Sequence, residues 1–328
     1  MFSTQILKIS LRPFAYNLVM NPSPEQKSFE GIPYTQLIQR RFSCRKYDRA
    51  PIAEEKQDKL TAFLDNLPSA PFDKLRAVPF GTRPRFNLVA AQKNDSQVLR
   101  GLGTYGFIRN AAGFIVGTIT PAKYDLEDYG YLLEMTQLYA TALDLGTCWL
   151  GGTFTKSRFA KKVALGSDES IPAISAIGEY AAKEQKRAGW VSQVAGSFKR
   201  LQWEQLFSNV ILSQPLYRSE AGAYARPLEM VQIAPSASNK QPWRIVRNGG
   251  FWRFYLRRTA GYEQDPLKRF LDLCDMQRID MGIAMCHFEL AARELGLNGQ
   301  WVIEDDLDRT PNKKTEYIVS WQSLDNNQ

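Results

Sequence analysis

The chain has 328 residues, more than one ordinary domain holds, so two domains or two halves are expected. Its 44% hydrophobic content is enough for a sizeable core, and 42 Lys and Arg against 34 Asp and Glu leave a net charge of +8. That excess suits nucleic acid, an acidic membrane face or a phosphorylated ligand, yet no Lys/Arg block of the kind found in nucleic-acid tails accompanies it. The cysteines Cys44, Cys148, Cys274 and Cys286 form no CxxC. This argues against a bound metal or a disulfide framework and for a reduced, cytoplasmic protein. A lone histidine, His287, excludes any site needing two, and its apolar helical setting predicts a packed, hydrogen-bonded core residue.

In chain order, "MFSTQILKISLRPFAYNLVM" makes a poor secretory signal because Lys8, Arg12 and Asn17 interrupt its apolar run. Met20 opens "MNPSPEQKSFEGIPY", so Met1 to Val19 reads as an upstream extension, and residues 1–30 as an extension or arm. No run of about 18 apolar residues predicts a membrane span. "PYTQLIQRRFSCRKY" predicts a short helix ending near Ser43, with Tyr34, Leu37, Ile38 and Phe42 at helical spacing. "AEEKQDKLTAFLDNL" predicts an amphipathic helix that presents Leu60, Phe63, Leu64 and Leu67, with acids in its first turn. "RFNLVAAQ" and "AAGFIVGTIT" read as strands, the second apolar enough to be central in a sheet.

Next, "LEDYGYLLEMTQLYATALDLGTCWLGGTF" places Tyr129, Leu132, Leu133, Thr136, Ala140 and Leu143 on one helical face. Glu134, Gln137 and Asp144 are expected opposite, and Gly146 is expected to end the helix. The later "IDMGIAMCHFELAARELGLNGQW" is apolar nearly all round from Met281 to Ala292 and must be buried on several sides. "ALDLG" and "ARELG" lie 150 residues apart (Leu145 to Leu295), a weak repeat that suggests duplicated halves with a boundary within 191–207.

Three stretches carry candidate chemistry. In "RRFSCRKY", Arg41, Ser43 and Arg45 alternate, so an extended segment projects them to one side, where guanidiniums suit a phosphate and a polar ring edge. A solvated basic helix end is the alternative. In "PSASNKQPW", short hydrogen-bonding side chains and free amides are suited to rim a flat heterocycle; a plain turn is the alternative. In "CWLGGTF", Gly151 and Gly152 permit close backbone approach to a ligand, or simply a bend, and no GxGxxG dinucleotide fingerprint is present. "FWRFYLRR" mixes aromatics with Arg as a single-strand nucleic-acid platform does, but reads better as a strand with Trp252, Phe254 and Leu256 facing the core.

Together, Arg41-x-Ser43-x-Arg45, "APSASNKQPW", "LGTCWLGG" and "DMGIAMCHFELAARELGL" resemble the nitroreductase-like family of FMN-dependent oxidoreductases, from about Tyr34 to Trp301. The resemblance implies an α+β fold in which sheets, mixed or antiparallel, are flanked by helices. Family members are homodimers that hold FMN at the interface. It implies Arg41 and Ser43 at the phosphate and ribityl end, Arg45 at the pyrimidine edge, and the backbone of Gly151 and Gly152 near N5. Arg200 looks like the family's phosphate-binding basic residue, with Lys199 beside it. Pro235, Ser236, Ala237, Ser238, Asn239 and Gln241 match the loop that a partner subunit supplies.

Here those parts fall in two halves of one chain, expected at 31–205 and 206–328. "LPSAPF" lacks the Asn and the Gln-Pro-Trp, "SNVILSQPLYRS" lacks the arginine series, and "NGQWVIED" keeps no Gly-Gly. The expectation is therefore a monomer folded as an intramolecular pseudo-dimer, with no nucleic-acid or membrane partner and no metal. The implied activity takes hydride from NAD(P)H through FMN to a flat small-molecule acceptor such as a nitroaromatic or quinone, without a protein nucleophile or acid–base pair. The rival readings are a non-catalytic flavin-binding module, a specialised flavin enzyme such as a dehalogenase, and a basic nucleic-acid binder.

Overall fold

A computed structural model describes residues 27–67, 78–91, 96–181, 200–262, 273–305, 307, 312 and 314–325. The chain enters through a tight hairpin, β1 (Ser28–Phe29) and β2 (Ile32–Pro33), that leads into α1 (Tyr34–Arg40). The next helix, α2 (Glu54–Asn66), carries Glu54 and Glu55 in its first turn, where carboxylates favour the positive end of the helix dipole, and buries Leu60 and Leu64.

The first sheet comprises β3 (Arg85–Ala90), β4 (Gly113–Thr118), β5 (Gly146–Leu150) and β6 (Ile174–Gly178), in the order β3-β4-β6-β5 and antiparallel throughout. The apolar "GFIVGT" is an interior strand, as expected. Its side chains alternate between faces. Phe114 and Val116 pack with Phe154 and Phe159, near α4 (Lys156–Lys162), whereas Ile115 joins the main core on the other side. That core also contains α3 (Asp125–Ala142), which connects β4 to β5.

The second sheet is mixed. It follows α5 (Trp203–Leu206) and includes β7 (Phe207–Asn209), β8 (Trp243–Asn248), β9 (Phe251–Arg257), β10 (Gly299–Val302) and β11 (Thr315–Ser323). The order is β10-β11-β9-β8-β7, with only β7 and β8 parallel. Two helices cover it, α6 (Ala225–Gln232) and α7 (Met276–Glu294). Trp252, Phe254 and Leu256 are buried, so "FWRFYLRR" is a strand with its aromatics inward. The boundary expected within 191–207 and the extension at 1–30 fall largely outside the described residues, as does "LPSAPF".

The helices α3 and α7 cross at the centre, and every residue of α3 except Tyr139 is buried. The polar face expected for Glu134 and Gln137 is therefore internal; only Asp144, beyond the helix, is exposed. A Cβ at Gly130 would fall on the backbone of Ile279, and a Cβ at Gly282 on the backbone of Glu127. The two contacts are reciprocal, each member lying 152 residues from its counterpart (282 − 130 and 279 − 127). Asp144 (φ 56°) and Gly296 (φ 75°), the left-handed residues after the two helices, have the same spacing, 152 residues rather than the expected 150. Gly146 does not end α3. It opens β5, where a Cβ would crowd Cys44. No described helix is long and apolar enough to cross a membrane.

Backbone atoms cannot rotate away as side chains do. Gly282→Ala is therefore expected to lower the unfolding free energy by about 1–3 kcal/mol. Gly250→Ala, whose new methyl meets nothing within 4 Å, should change it by less than about 0.5 kcal/mol. Urea denaturation of both variants checks this.

Candidate functional site

After α1 the chain runs extended alongside β5: Ser43 pairs with Thr147, and the Cys44 amide donates to the Thr147 carbonyl at 2.9 Å. This carries Arg41 and Arg45 to Cys148. Burial pushes the Cys148 thiol up, while the charges of Arg45 and Arg41 pull the other way. Arg45 is exposed and Ser43 half-buried. The Arg41 side chain is only 6% exposed, with Nε 3.2 Å from Glu134 Oε1, yet the alignment misses a hydrogen bond. Both Nε and Nη1 of Arg41 are thus buried without a hydrogen-bond partner, a costly state for a charged donor with nothing to donate to.

Glu134 is fully buried and multiply held. It accepts from Trp149 Nε1 at 2.7 Å, and its Oε1 lies 2.9 Å from His287 Nε2. Burial opposes its charge, but Arg41, His287 and Trp149 together bring its carboxyl below the ordinary range. His287 Nδ1 sits 2.9 Å from the Met230 carbonyl. The histidine is therefore a hydrogen-bonded core residue, as its sequence setting predicted, but it lies one side chain behind Arg41.

The second half contributes the loop that follows α6. Ser238 (φ 50°), Asn239 (φ 54°) and Gln241 (φ 49°) are all left-handed, at about 1–2 kcal/mol each for residues with a Cβ. Such strain persists only where surrounding bonds over-determine it. Arg200 supplies three of these bonds, donating to the carbonyls of Ala234 and Ile233 at 2.9 and 2.8 Å and to Asn239 Oδ1 at 2.9 Å. The Leu201 amide donates to Gln241 Oε1, the Gln241 amide to Ser236 Oγ, and the Ala237 amide to Asp280 Oδ1, each at 2.9 Å. Burial, with a smaller contribution from the nearby charge of Arg41, lowers the Arg200 guanidinium to about 10. Arg41 and Arg200, far apart in the chain, are thus neighbours.

Gly151 and Gly152 follow β5 and face the entry to α7. A Cβ at Gly151 would overlap the Met276 side chain, and one at Gly152 the Leu273 side chain. One turn after Met276, Asp280 reaches under the strained loop. Of the expected site residues, the structure brings Arg41 near Arg200, which holds the loop from Ile233 to Asn239, sets Arg45 and Arg41 near Cys148, and places Gly151 and Gly152 against Met276 and Leu273. Lys199 lies outside the described residues. Among the described residues no group of three His, Cys, Asp or Glu is placed to hold a metal ion.

The sequence reading missed Glu134, Trp149 and Asp280. Glu134 was assigned to an outer face because helical periodicity does not reveal a second helix packed on that face. Asp280, an acid at the edge of the apolar run from Met281 to Ala292, was the available signal for a buried polar contact. Its Oδ2 is buried and unpartnered, and burial pushes its carboxyl well above the ordinary aspartate range. A raised folded pKa means that the folded protein holds the proton more tightly. The neutral form's stability is fully present below the unfolded pKa near 4 and declines as pH rises toward the folded pKa. Asp280→Asn keeps an acceptor for Ala237 without the charge penalty. It should raise stability at pH 7, with the gain shrinking toward pH 4; urea melts across that range test the sign.

A family model described as "Putative TM nitroreductase" matches residues 34–292. Among solved structures, a "putative nitroreductase" from Thermotoga maritima shares the fold at TM-score 0.52 and 18% identity, covering 88% of this chain and 93% of that one. A "putative nitroreductase" from Desulfovibrio desulfuricans in complex with FMN gives TM-score 0.39 at 22% identity, over 56% of this chain and 98% of that one. An FMN-dependent nitroreductase from Clostridium difficile gives 0.34 at 22%, over 44% and 86%. No curated protein matches the chain. With the family model spanning most of its length, from α1 through most of α7, the chain belongs to this nitroreductase family.

Proposed function

We propose that the protein is an FMN-dependent oxidoreductase that passes electrons from NAD(P)H to a flat acceptor, and that the two halves of one chain form a single flavin site as an intramolecular pseudo-dimer. The observation that carries this reading is Arg41. Its buried guanidinium lacks hydrogen-bond acceptors and stands beside a second buried cation, Arg200. A phosphate would satisfy Arg41 and be attracted by the charge of Arg200, since guanidiniums pair with phosphate oxygens by charge-assisted hydrogen bonds. The reciprocal Gly130 and Gly282 contacts support the pseudo-dimer, because an interface with two-fold symmetry pairs residue i with j and j with i.

When bound, FMN supplies the redox chemistry, and the chain supplies binding, orientation and charge. Arg41 and Arg200 would hold the phosphate, Ser43 the neighbouring polar chain, and Arg45 a positive charge at the ring's polar edge. The backbone of Gly151 and Gly152, without a Cβ but packed against Met276 and Leu273, would offer a close hydrogen bond to the ring. Leu273 and Met276 would limit water on that side. A flat acceptor is favoured by Tyr105 and Phe107, which are 66% and 56% exposed. They sit on a loop tied at one end to Arg45, through the Arg109 amide, and at the other to Thr155, three residues past Gly152.

Arg41→Ala should weaken FMN binding by about 1.5–3 kcal/mol, as for the loss of a charged hydrogen bond to phosphate. Riboflavin, which lacks the phosphate, should be little affected. Equal losses for both ligands, in fluorescence titrations of apoprotein, would remove Arg41 from the phosphate.

Reconstitution should yield one FMN per chain in a monomer, checked by released flavin against protein and by mass in solution. Anaerobic NADH or NADPH should bleach the bound flavin. A protein that stays yellow with both would be a flavin-binding module instead.

A further inference from the structure

We propose that His287 is a positioning residue for the anion site: it and Glu134 hold one proton between them, and an anion seated at Arg41 and Arg200 is bound together with that proton. This rests on the reading that those arginines take a flavin phosphate.

The argument begins with the two neighbours of the imidazole. Nδ1 lies 2.9 Å from the Met230 carbonyl, which can only accept, so Nδ1 carries a hydrogen. Nε2 lies 2.9 Å from Glu134 Oε1. Two lone pairs at that separation repel, so a proton belongs between nitrogen and oxygen as well. The Trp149 indole N–H at 2.7 Å fixes the other carboxylate oxygen, so Glu134 cannot swing away from the imidazole.

Charge follows from this proton count. Whether the proton rests on nitrogen or oxygen, the pair is neutral overall, and with Arg41 and Arg200 the cluster carries two positive charges. A phosphate monoester carries about −1.5 to −2 near neutral pH, which matches. Without the proton the cluster keeps a single positive charge. These groups are buried, so the difference is poorly screened. Linkage is reciprocal: the anion tightens the hold on the proton as much as the proton tightens the hold on the anion.

The groups around the pair are accounted for from each packed element. Arg41 faces it from the end of α1, Arg200 stands behind Arg41, and Trp149 approaches from β5. On α7, the Cys286 thiol is held protonated by burial and by the negative charges of Glu134 and Glu289. Glu289 is engaged by Tyr131, Trp301 and Arg293. The α6 contribution is the Met230 carbonyl, which does not titrate.

The sign is fixed. Because the protonated pair favours the anion, FMN affinity should fall as pH rises through the range where the unliganded pair loses its proton, by at most about tenfold per pH unit for one proton. The ligand's own second phosphate ionisation near pH 6 works in the opposite direction and is common to every variant.

The test is calorimetric titration of the apoprotein with FMN, riboflavin and inorganic phosphate between about pH 5 and 9, in buffers of different ionisation enthalpy. Wild type should take up a proton with FMN and with inorganic phosphate but not with riboflavin, and His287→Gln and Glu134→Gln should lose that uptake. Absence of uptake by wild type at every pH overturns the proposal, a result that does not depend on either variant folding. Uptake that persists in a folded His287→Gln overturns it too. Failure of wild type to bind FMN overturns the flavin reading instead, and the phosphate titration then decides the proton linkage by itself.

Discussion

Two glycines allow α3 and α7 to touch backbone to backbone, and the site exists because of that contact. With no Cβ at Gly130 or Gly282, the helices approach closely enough for Glu134 of α3 to meet His287 of α7. The same approach sets Arg278 between Asp125 and Glu127, an ion-paired brace across the helices. The α7 entry is brought against Gly151 and Gly152, and Asp280 under the loop from Ser236 to Gln241. A larger residue at either crossing position would separate these groups, because close-packed backbones transmit displacement rather than absorb it.

Buried charge is the second constraint. Arg41, Arg200, Glu134 and Asp280 are all withdrawn from water, and isolated charges in such places are strongly disfavoured. The chain resolves this differently for each. Arg200 spends its donors on loop carbonyls and Asn239, Glu134 gathers three cationic or N–H neighbours, and Asp280 is driven toward neutrality. Arg41 is left with unsatisfied donors, which makes it the place where an added anion gains most. Native proteins retain such unsatisfied groups chiefly at functional sites.

The polar loop shows how local strain and tertiary bonds depend on each other. The left-handed residues Ser238, Asn239 and Gln241, so close together, would not survive in an isolated peptide. They are held by Arg200 and Leu201 on one side and Asp280 on the other. In the first half, Asp128, which stands 152 residues before Asp280, accepts from the amides of Phe80 and Thr82 and from the Thr82 hydroxyl. Gly81 there takes the left-handed position at φ 79° without a Cβ penalty. Both Asp128 carboxyl oxygens accept hydrogen bonds, whereas Asp280 keeps a free Oδ2 beneath the strained loop. Asp128 and Asp280 thus each tie a helix to a loop, but the two loops differ in what they offer.

Much of this was legible in the sequence. A continuous apolar run announced β4, alternation announced β9, and a helix apolar nearly all round announced α7. These are local properties, set by backbone geometry and the hydrophobic pattern of neighbouring residues. The sequence could not determine that Glu134 points inward, that Asp144 rather than Gly146 takes the left-handed turn, or that Asp144 and Gly296 lie 152 residues apart as matching turns. It also could not show that Arg200 holds the loop, or that Arg41 lies beside Glu134 with two nitrogens lacking hydrogen bonds. Each of these depends on which distant backbone or charge arrives beside the residue. Only the packing of α3 against α7 decides that, because burial and partner geometry arise between segments rather than within them.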